Sequence, residues 1–203
     1  MIAGKLNGNV RKLKKSARGN LQVAAKVRVK DRKCGVDPKS TCHHAESYFS
    51  AHEVLQKHLH EITPLSLSAV NVVLMAFSVE CFLKTILLLD KGSFVRSHNL
   101  IELFDVLGAE NRAALSAHTE KFCAESLLWQ SIIRQNPKDK HNIHTFLSDS
   151  AESFSKIRYM WEEEHERIPA TFGWGLDSVL FSLRKRILEI KPEWVEFMRS
   201  TQG

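Results

Sequence analysis

The chain has 203 residues, 43% of them hydrophobic and 26% charged, with a formal net charge of +6. That length buries one substantial core and requires no second domain. The composition excludes collagen-like, mucin-like and grossly disordered classes.

The charge is uneven. Residues 1–33 hold eleven Lys/Arg against one acid, Asp31, which leaves 18 basic and 22 acidic residues in the remainder. A basic arm over residues 1–40 is therefore expected ahead of a mildly acidic body over residues 41–203. Within the arm, Leu21, Val23, Ala25, Val27 and Val29 alternate with Gln22, Lys26, Arg28 and Lys30, the period of a strand. The arm reads either as a strand or as an unstructured extension, and its charges suit contact with phosphates. Its lysines and arginines come before any apolar run, so no signal peptide is expected. Four cysteines (Cys34, Cys42, Cys81, Cys123) do not make a disulfide framework, and a reducing, cytoplasmic setting is expected. Cys34, Cys42, His43 and His44 look superficially like metal ligands. The cysteines are separated by seven residues, however, and no second Cys/His pair follows at finger-like spacing, so no metal site is expected.

From Ala45 the pattern becomes helical, with Tyr48, Ala51, Leu55, Leu59 and Ile62 on one face. Pro64 opens a second helix, expected from about Leu65 to Leu89 and apolar nearly all round, with Gly92 closing it. Asn71, Ser78, Glu80, Lys84 and Thr85 interrupt its apolar run. A charge at mid-bilayer costs about 2.5 to 3.5 kcal/mol, so this segment is expected to be the central helix of a bundle and not a membrane span. Asn99 with Glu102 predicts a capping box for a short helix that stops at Gly108. One longer helix is predicted through Leu115, Phe122 and Leu128 to Ile133, ending at Asn136 and Pro137. Another is predicted from about Asn142, with a seam of Leu147, Ala151, Phe154, Arg158, Trp161 and His165 ending before Pro169. After Gly173 to Gly175, Val179, Leu180, Leu183, Ile187 and Leu188 mark a last long helix, and Pro192 opens a terminal turn carrying Trp194 and Phe197. The expected fold class is an all-α, up-and-down bundle of about five to seven helices. There is no internal repeat, Gly-rich phosphate loop or nucleophile elbow.

The anomaly is the 144–167 helix, where Arg158 and His165 take seam positions that periodicity assigns to the core. Seven residues make almost two turns, so the two side chains share a face roughly 10 Å apart along the axis. A buried charge demands a partner. Glu80, on the apolar central helix, would make Arg158 purely structural, with Lys84 competing as the intrahelical partner. If the seam instead opens into a cleft, a guanidinium can grip phosphate oxygens and an imidazole can move protons near neutral pH. That pair suits RNA cleavage without a metal or any other cofactor, with His165 as acid or base and Arg158 stabilising the phosphoryl charge. His98, just before a helix cap, reads as a loop-to-helix hydrogen-bonder. Trp161, Trp174 and Trp194 read as packing residues, although tryptophans can also stack bases.

The run Ser78-Val-Glu-Cys-Phe-Leu-Lys84, then Gly92, then His98-Asn-Leu-Ile-Glu-Leu103 resembles the helix-loop-helix signature of HEPN domains over about residues 45–190. Phe154-Ser-Lys-Ile-Arg-Tyr159 with Glu162 is similar to a further helix of that family. The resemblance implies a bundle of four or more helices that commonly dimerises, in RNA-cleaving toxins and phage-defence proteins. Active members carry an Arg, four to six residues, then a His, which maps onto Arg158 and His165, with Tyr159, Glu80 and Glu162 in support. Tyr159 stands where a polar residue often follows the Arg, and Glu162, Glu163 and Glu164 fill the interval with negative charge. Arg134 and His141 have the same spacing but span Pro137, and rank second. The expected partners are a second copy of the chain, RNA, and an antitoxin or other protein, with no membrane. The competing expectations are a catalytically inert helical dimerisation or binding module, and nucleic-acid binding through the basic arm.

Overall fold

Asp37 starts the first helix. Its carboxylate accepts from the backbone N–H groups of Lys39 and Ser40 at 3.2 and 3.1 Å, and Pro38 takes the first helical position, where its missing N–H costs nothing. Helix α1 therefore runs Pro38–His58, beginning seven residues before the apolar periodicity that marked it at Ala45. The computed structural model describes residues 35–58, 64–135, 141–151 and 175–200, with side chains from residue 70 in the second segment and to residue 198 in the last. Residues 1–34 of the basic arm lie outside the described residues, and its last three, 38–40, belong to α1.

Seven further α-helices follow among the described residues: α2 Pro64–Lys91, α3 Leu100–Val106, α4 Ala109–Glu125, α5 Leu127–Gln135, α6 Ile143–Asp149, α7 Leu176–Ile190 and α8 Val195–Ser200. A short 3-10 turn, Pro192–Trp194, leads into α8. No strand occurs among the described residues, and the protein is an all-α helical bundle.

Helix α2 is the central one. Val79, Phe82, Leu83, Ile86 and Leu87 are completely buried, each such side chain contributing about 1.5 to 3 kcal/mol relative to exposure. By length and composition the Val70–Lys91 stretch could cross a membrane, yet in the fold it forms the core of the bundle. Ser78 Oγ donates to the Ala45 carbonyl at 2.9 Å, and His52 meets Asn71 at 2.6 Å, so numbers rise along α1 as they fall along α2. The two are antiparallel. Helices α4 and α7 form a second antiparallel pair, with Thr119 against Ser182 at 2.9 Å and Asn111 against Arg186 at 2.8 Å. Helix α7 also packs on α2 and joins the pairs into one core.

Local punctuation sets several boundaries as expected. Gly92, at φ 67°, closes α2 by donating its N–H to the Leu88 carbonyl at 2.9 Å. Asn99 caps α3 through the N–H groups of Ile101 and Glu102 at 3.1 and 3.2 Å, and Asn142 caps α6 through that of Thr145 at 3.0 Å. Glu102 does not complete a capping box, because it accepts instead from Ser97 Oγ at 2.7 Å. Helix α3 stops at Val106, and Gly108, placed by sequence at its end, is the N-cap of α4.

Two predicted helices prove shorter. The one read through Leu115 to Ile133 is two helices, α4 and α5, parted at Ser126, which is extended (ψ 120°) and accepts from the Trp129 N–H at 3.4 Å. A serine can cap a new helix as readily as it continues an old one. The helix read from 144 to 167 ends at Asp149, where Ser150 leaves helical geometry and Ala151 lies in a turn. The seam therefore does not run as one helix from Leu147 onwards.

Candidate functional site

The segments 78–84 and 98–103 form one spatial cluster. Its centre is Glu80 on α2, whose side chain is 8% exposed. Lys84 lies one turn on, on the same face, and donates from Nζ to Glu80 Oε1 at 2.6 Å while sitting 5.4 Å from the centre of the Phe94 ring. His98, on the loop before α3, brings Nδ1 to 3.1 Å from both carboxylate oxygens and roofs the group with an exposed ring. A carboxylate accepts only, so Nδ1 carries the proton in this contact. The two segments that carry the resemblance, 78–84 and 98–103, thus meet at one buried charge. Of the two partners weighed for Glu80, Lys84 is the one seen among the described residues, with His98 beside it.

Arg158, Tyr159, Glu162 and His165 lie outside the described residues, as do Trp161 and Trp174. Of the second-ranked pair, Arg134 is exposed at the end of α5 and donates to Gln130 Oε1 at 3.3 Å. His141 stands on the segment leading into α6, its ring centre 6.0 Å from that of Trp129. The two belong to different elements, since α5 ends at Gln135. Trp194 is buried in the core, as expected of a packing residue.

Cys42 is fully buried on the inward face of α1. Burial, then the neighbouring Glu46 carboxylate, push its thiol up to about 12, with Arg184 opposing them. That is the reverse of what a metal-binding thiolate needs. His43 faces the Phe197 ring at 5.7 Å. No cluster of three His, Cys, Asp or Glu side chains with metal-binding geometry occurs among the described residues.

A second site was not legible in the sequence. His52 and Gln56, one turn apart on α1, converge with Asn71 of α2. Asn71 Oδ1 accepts from His52 Nδ1 at 2.6 Å, and Asn71 Nδ2 donates to Gln56 Oε1 at 2.7 Å. Burial pushes the His52 imidazole below its ordinary value, outweighing the Asn71 hydrogen bond and the carboxylates of Glu53 and Asp177, which push the other way. The ring is therefore a neutral Nδ1–H tautomer with its lone pair on Nε2. These residues line a groove of about 490 Å³ together with Met75, Leu128, Trp129, Ile132, Gly175 and Asp177. Asp177 is held at its mouth by the Trp129 indole N–H at 3.4 Å. One signal did point here: Asn71 is a polar side chain on the most apolar helix of the chain, and such a group needs a partner.

No family model, curated protein or solved structure matches the chain. The functional reading therefore rests on its own residues.

Proposed function

We propose that the chain is a HEPN-type helical protein that cleaves RNA without a metal ion, acting as a homodimer in a toxin–antitoxin or phage-defence setting. Arg158 and His165 carry the chemistry, with Tyr159 and Glu162 beside them. The 2′-hydroxyl oxygen attacks the adjacent phosphorus, forming the O2′–P bond as the P–O5′ bond breaks. His165 takes the 2′ proton and later releases it to solvent, water protonates the departing 5′ oxygen, and Arg158 binds the non-bridging oxygens as charge gathers on them. The products are a 2′,3′-cyclic phosphate and a 5′-hydroxyl.

The observation that supports this reading is the set of contacts around Glu80. Its buried carboxylate already holds a full cation, Lys84 at 2.6 Å, and a donor, His98 at 3.1 Å. A buried carboxylate that lacked a partner would require Arg158 as its counter-ion. With Lys84 and His98 in place, Glu80 does not require Arg158 as its counter-ion, which supports a role for that arginine other than pairing with Glu80. The same contacts join the two segments, 78–84 and 98–103, on which the resemblance rests.

The test is incubation of the full chain with labelled RNA in EDTA, comparing wild type with Arg158→Ala and His165→Ala variants whose circular dichroism matches wild type. Cleavage by wild type that both folded variants lose supports the assignment. Intact RNA with wild type overturns it in favour of an inert helical binding module. That second reading draws on Leu127 and Leu128, which leave 81% and 66% of their surfaces in water on α5.

A further inference from the structure

We propose that the groove lined by α1, α2, α5 and the start of α7 binds a guanine base of single-stranded RNA; the RNA source of that base rests on the function proposed above.

The argument begins with the polar groups the groove presents. Asn71 Oδ1 can only accept, so the 2.6 Å contact fixes the proton on His52 Nδ1 and leaves Nε2 as an acceptor. Gln56 Oε1 is occupied by Asn71 Nδ2 at 2.7 Å, so its remaining capacity is the amide –NH₂, a donor. Asp177 gives one oxygen to the Trp129 indole at 3.4 Å and keeps the other as an acceptor. The set is thus two acceptors, one of them a carboxylate, and one donor. Around it stand apolar walls, Met75, Leu128 and Ile132, in a volume within the range of small-ligand sites.

Among the four RNA bases, one edge complements this set. Guanine offers two adjacent donors, N1–H and N2–H₂, beside one acceptor, O6. Adenine and cytosine each offer a single exocyclic donor beside acceptors, and uracil a lone N–H between two carbonyls. The adjacent donors of guanine suit the Asp177 carboxylate and His52 Nε2, and O6 suits the Gln56 amide. Apolar walls accept the flat faces of an unstacked base, as single-stranded RNA presents it. The helices that supply His52, Gln56 and Asn71 are tied to each other by those same side chains, so the groove is preformed and recognition needs no reorganisation of it.

The experiment uses the full chain and 2′-O-methylated pentanucleotides, which cannot be cleaved through the 2′-oxygen, so binding is read apart from activity. The three probes are UUGUU, UUIUU (inosine, lacking only the N2 amino group) and UUAUU, with 5′-GMP as competitor. UUGUU is expected to bind at least about tenfold more tightly than either of the others, as one hydrogen bond from N2–H₂ to the charged Asp177 carboxylate provides. The Asp177→Asn variant should bind UUGUU and UUIUU alike, whereas Gln56→Ala should weaken both by a similar factor and keep their ratio, because both bases carry O6. Equal binding of all three pentanucleotides by wild type, or a guanine preference that survives Asp177→Asn, overturns the proposal. If RNA is cleaved while the three pentanucleotides bind equally, the groove assignment fails and the ribonuclease reading stands. If 5′-GMP binds with the Asp177 dependence while no pentanucleotide does, the guanine site stands and its source is a free nucleotide, so the RNA reading fails instead.

Discussion

Arg184 of α7 donates Nε to Glu46 of α1 at 2.8 Å across 138 residues of sequence. The glutamate is fully buried, and the guanidinium lies over the Phe49 ring, 4.6 Å from its centre, while also donating to the Met198 carbonyl at 3.3 Å. One arginine thus ties the first helix, the seventh and the C-terminal helix together.

Removing it should therefore be costly. Arg184→Leu removes the guanidinium held against a buried carboxylate and is expected to destabilise by about 3 kcal/mol, the low end for such a pair because a fifth of the arginine side chain remains in water. The double variant Glu46→Leu/Arg184→Leu should recover a large part of the loss. Urea denaturation of the two variants checks this; a loss under about 1 kcal/mol for the single variant would show that the pair is immaterial.

Gly175 precedes α7 at φ 80°, and a Cβ there would lie 2.3 Å from the Phe146 ring. Both the backbone conformation and the space exclude a side chain. Gly175→Ala should cost about 2 kcal/mol or more, and Phe146→Leu in the same chain should relieve part of it by removing the ring. Thermal denaturation of single and double variants reads the coupling; additive losses would contradict the steric account.

His52 makes stability depend on pH. Its folded-state value lies below the ordinary 6.5, because burial disfavours the charged ring. The unfolded chain therefore binds the proton first, and stability falls as pH drops below about 6.5 until the folded-state value is passed. Above that range the contribution is complete. His52→Gln should flatten the stability profile just below pH 6.5 relative to wild type, measured by urea midpoints at each pH. An unchanged slope would mean that His52 does not take up a proton on unfolding.

Cys42, Cys81 and Cys123 should be inert in the folded protein. Burial, followed by the Glu46 charge, raises Cys42 to about 12, and burial is the leading cause that takes Cys81 and Cys123 to about 11. At pH 8 almost none of the three is thiolate. Iodoacetamide followed by peptide-resolved mass spectrometry should find them labelled at least tenfold more slowly in native protein than in urea. Fast native labelling of Cys42 would mean that α1 opens readily from the core.

Several features were legible from sequence because their cause is local. Asn99, Asn142, Gly92, Pro64 and Pro192 each act on backbone groups within a few residues, and the all-apolar α2 announced its own burial by composition. Asp37-Pro38 carried the same kind of signal for the start of α1, three positions ahead of the boundary drawn at residue 41. Where two local outcomes were close in energy, packing chose between them. Ser126 caps a new helix, and the tertiary environment of Trp129, set between Phe146 and Asp177, favours the break. The helix begun at Asn142 stops at Asp149 although the apolar spacing continues.

Partnerships across the fold were not legible at all. Sequence showed that Asn71 and Glu80 interrupt an apolar helix and that the charge of Glu80 needs a partner. Only the tertiary structure decided that Glu80 is met by Lys84 and His98, and that Asn71 holds His52 and Gln56 in a groove with Asp177. Spacing along one helix fixes which residues share a face, but which faces meet is set by the packing of the whole core. A side chain's counterpart may therefore lie 4 residues away, as for Glu80 and Lys84, or 138, as for Glu46 and Arg184.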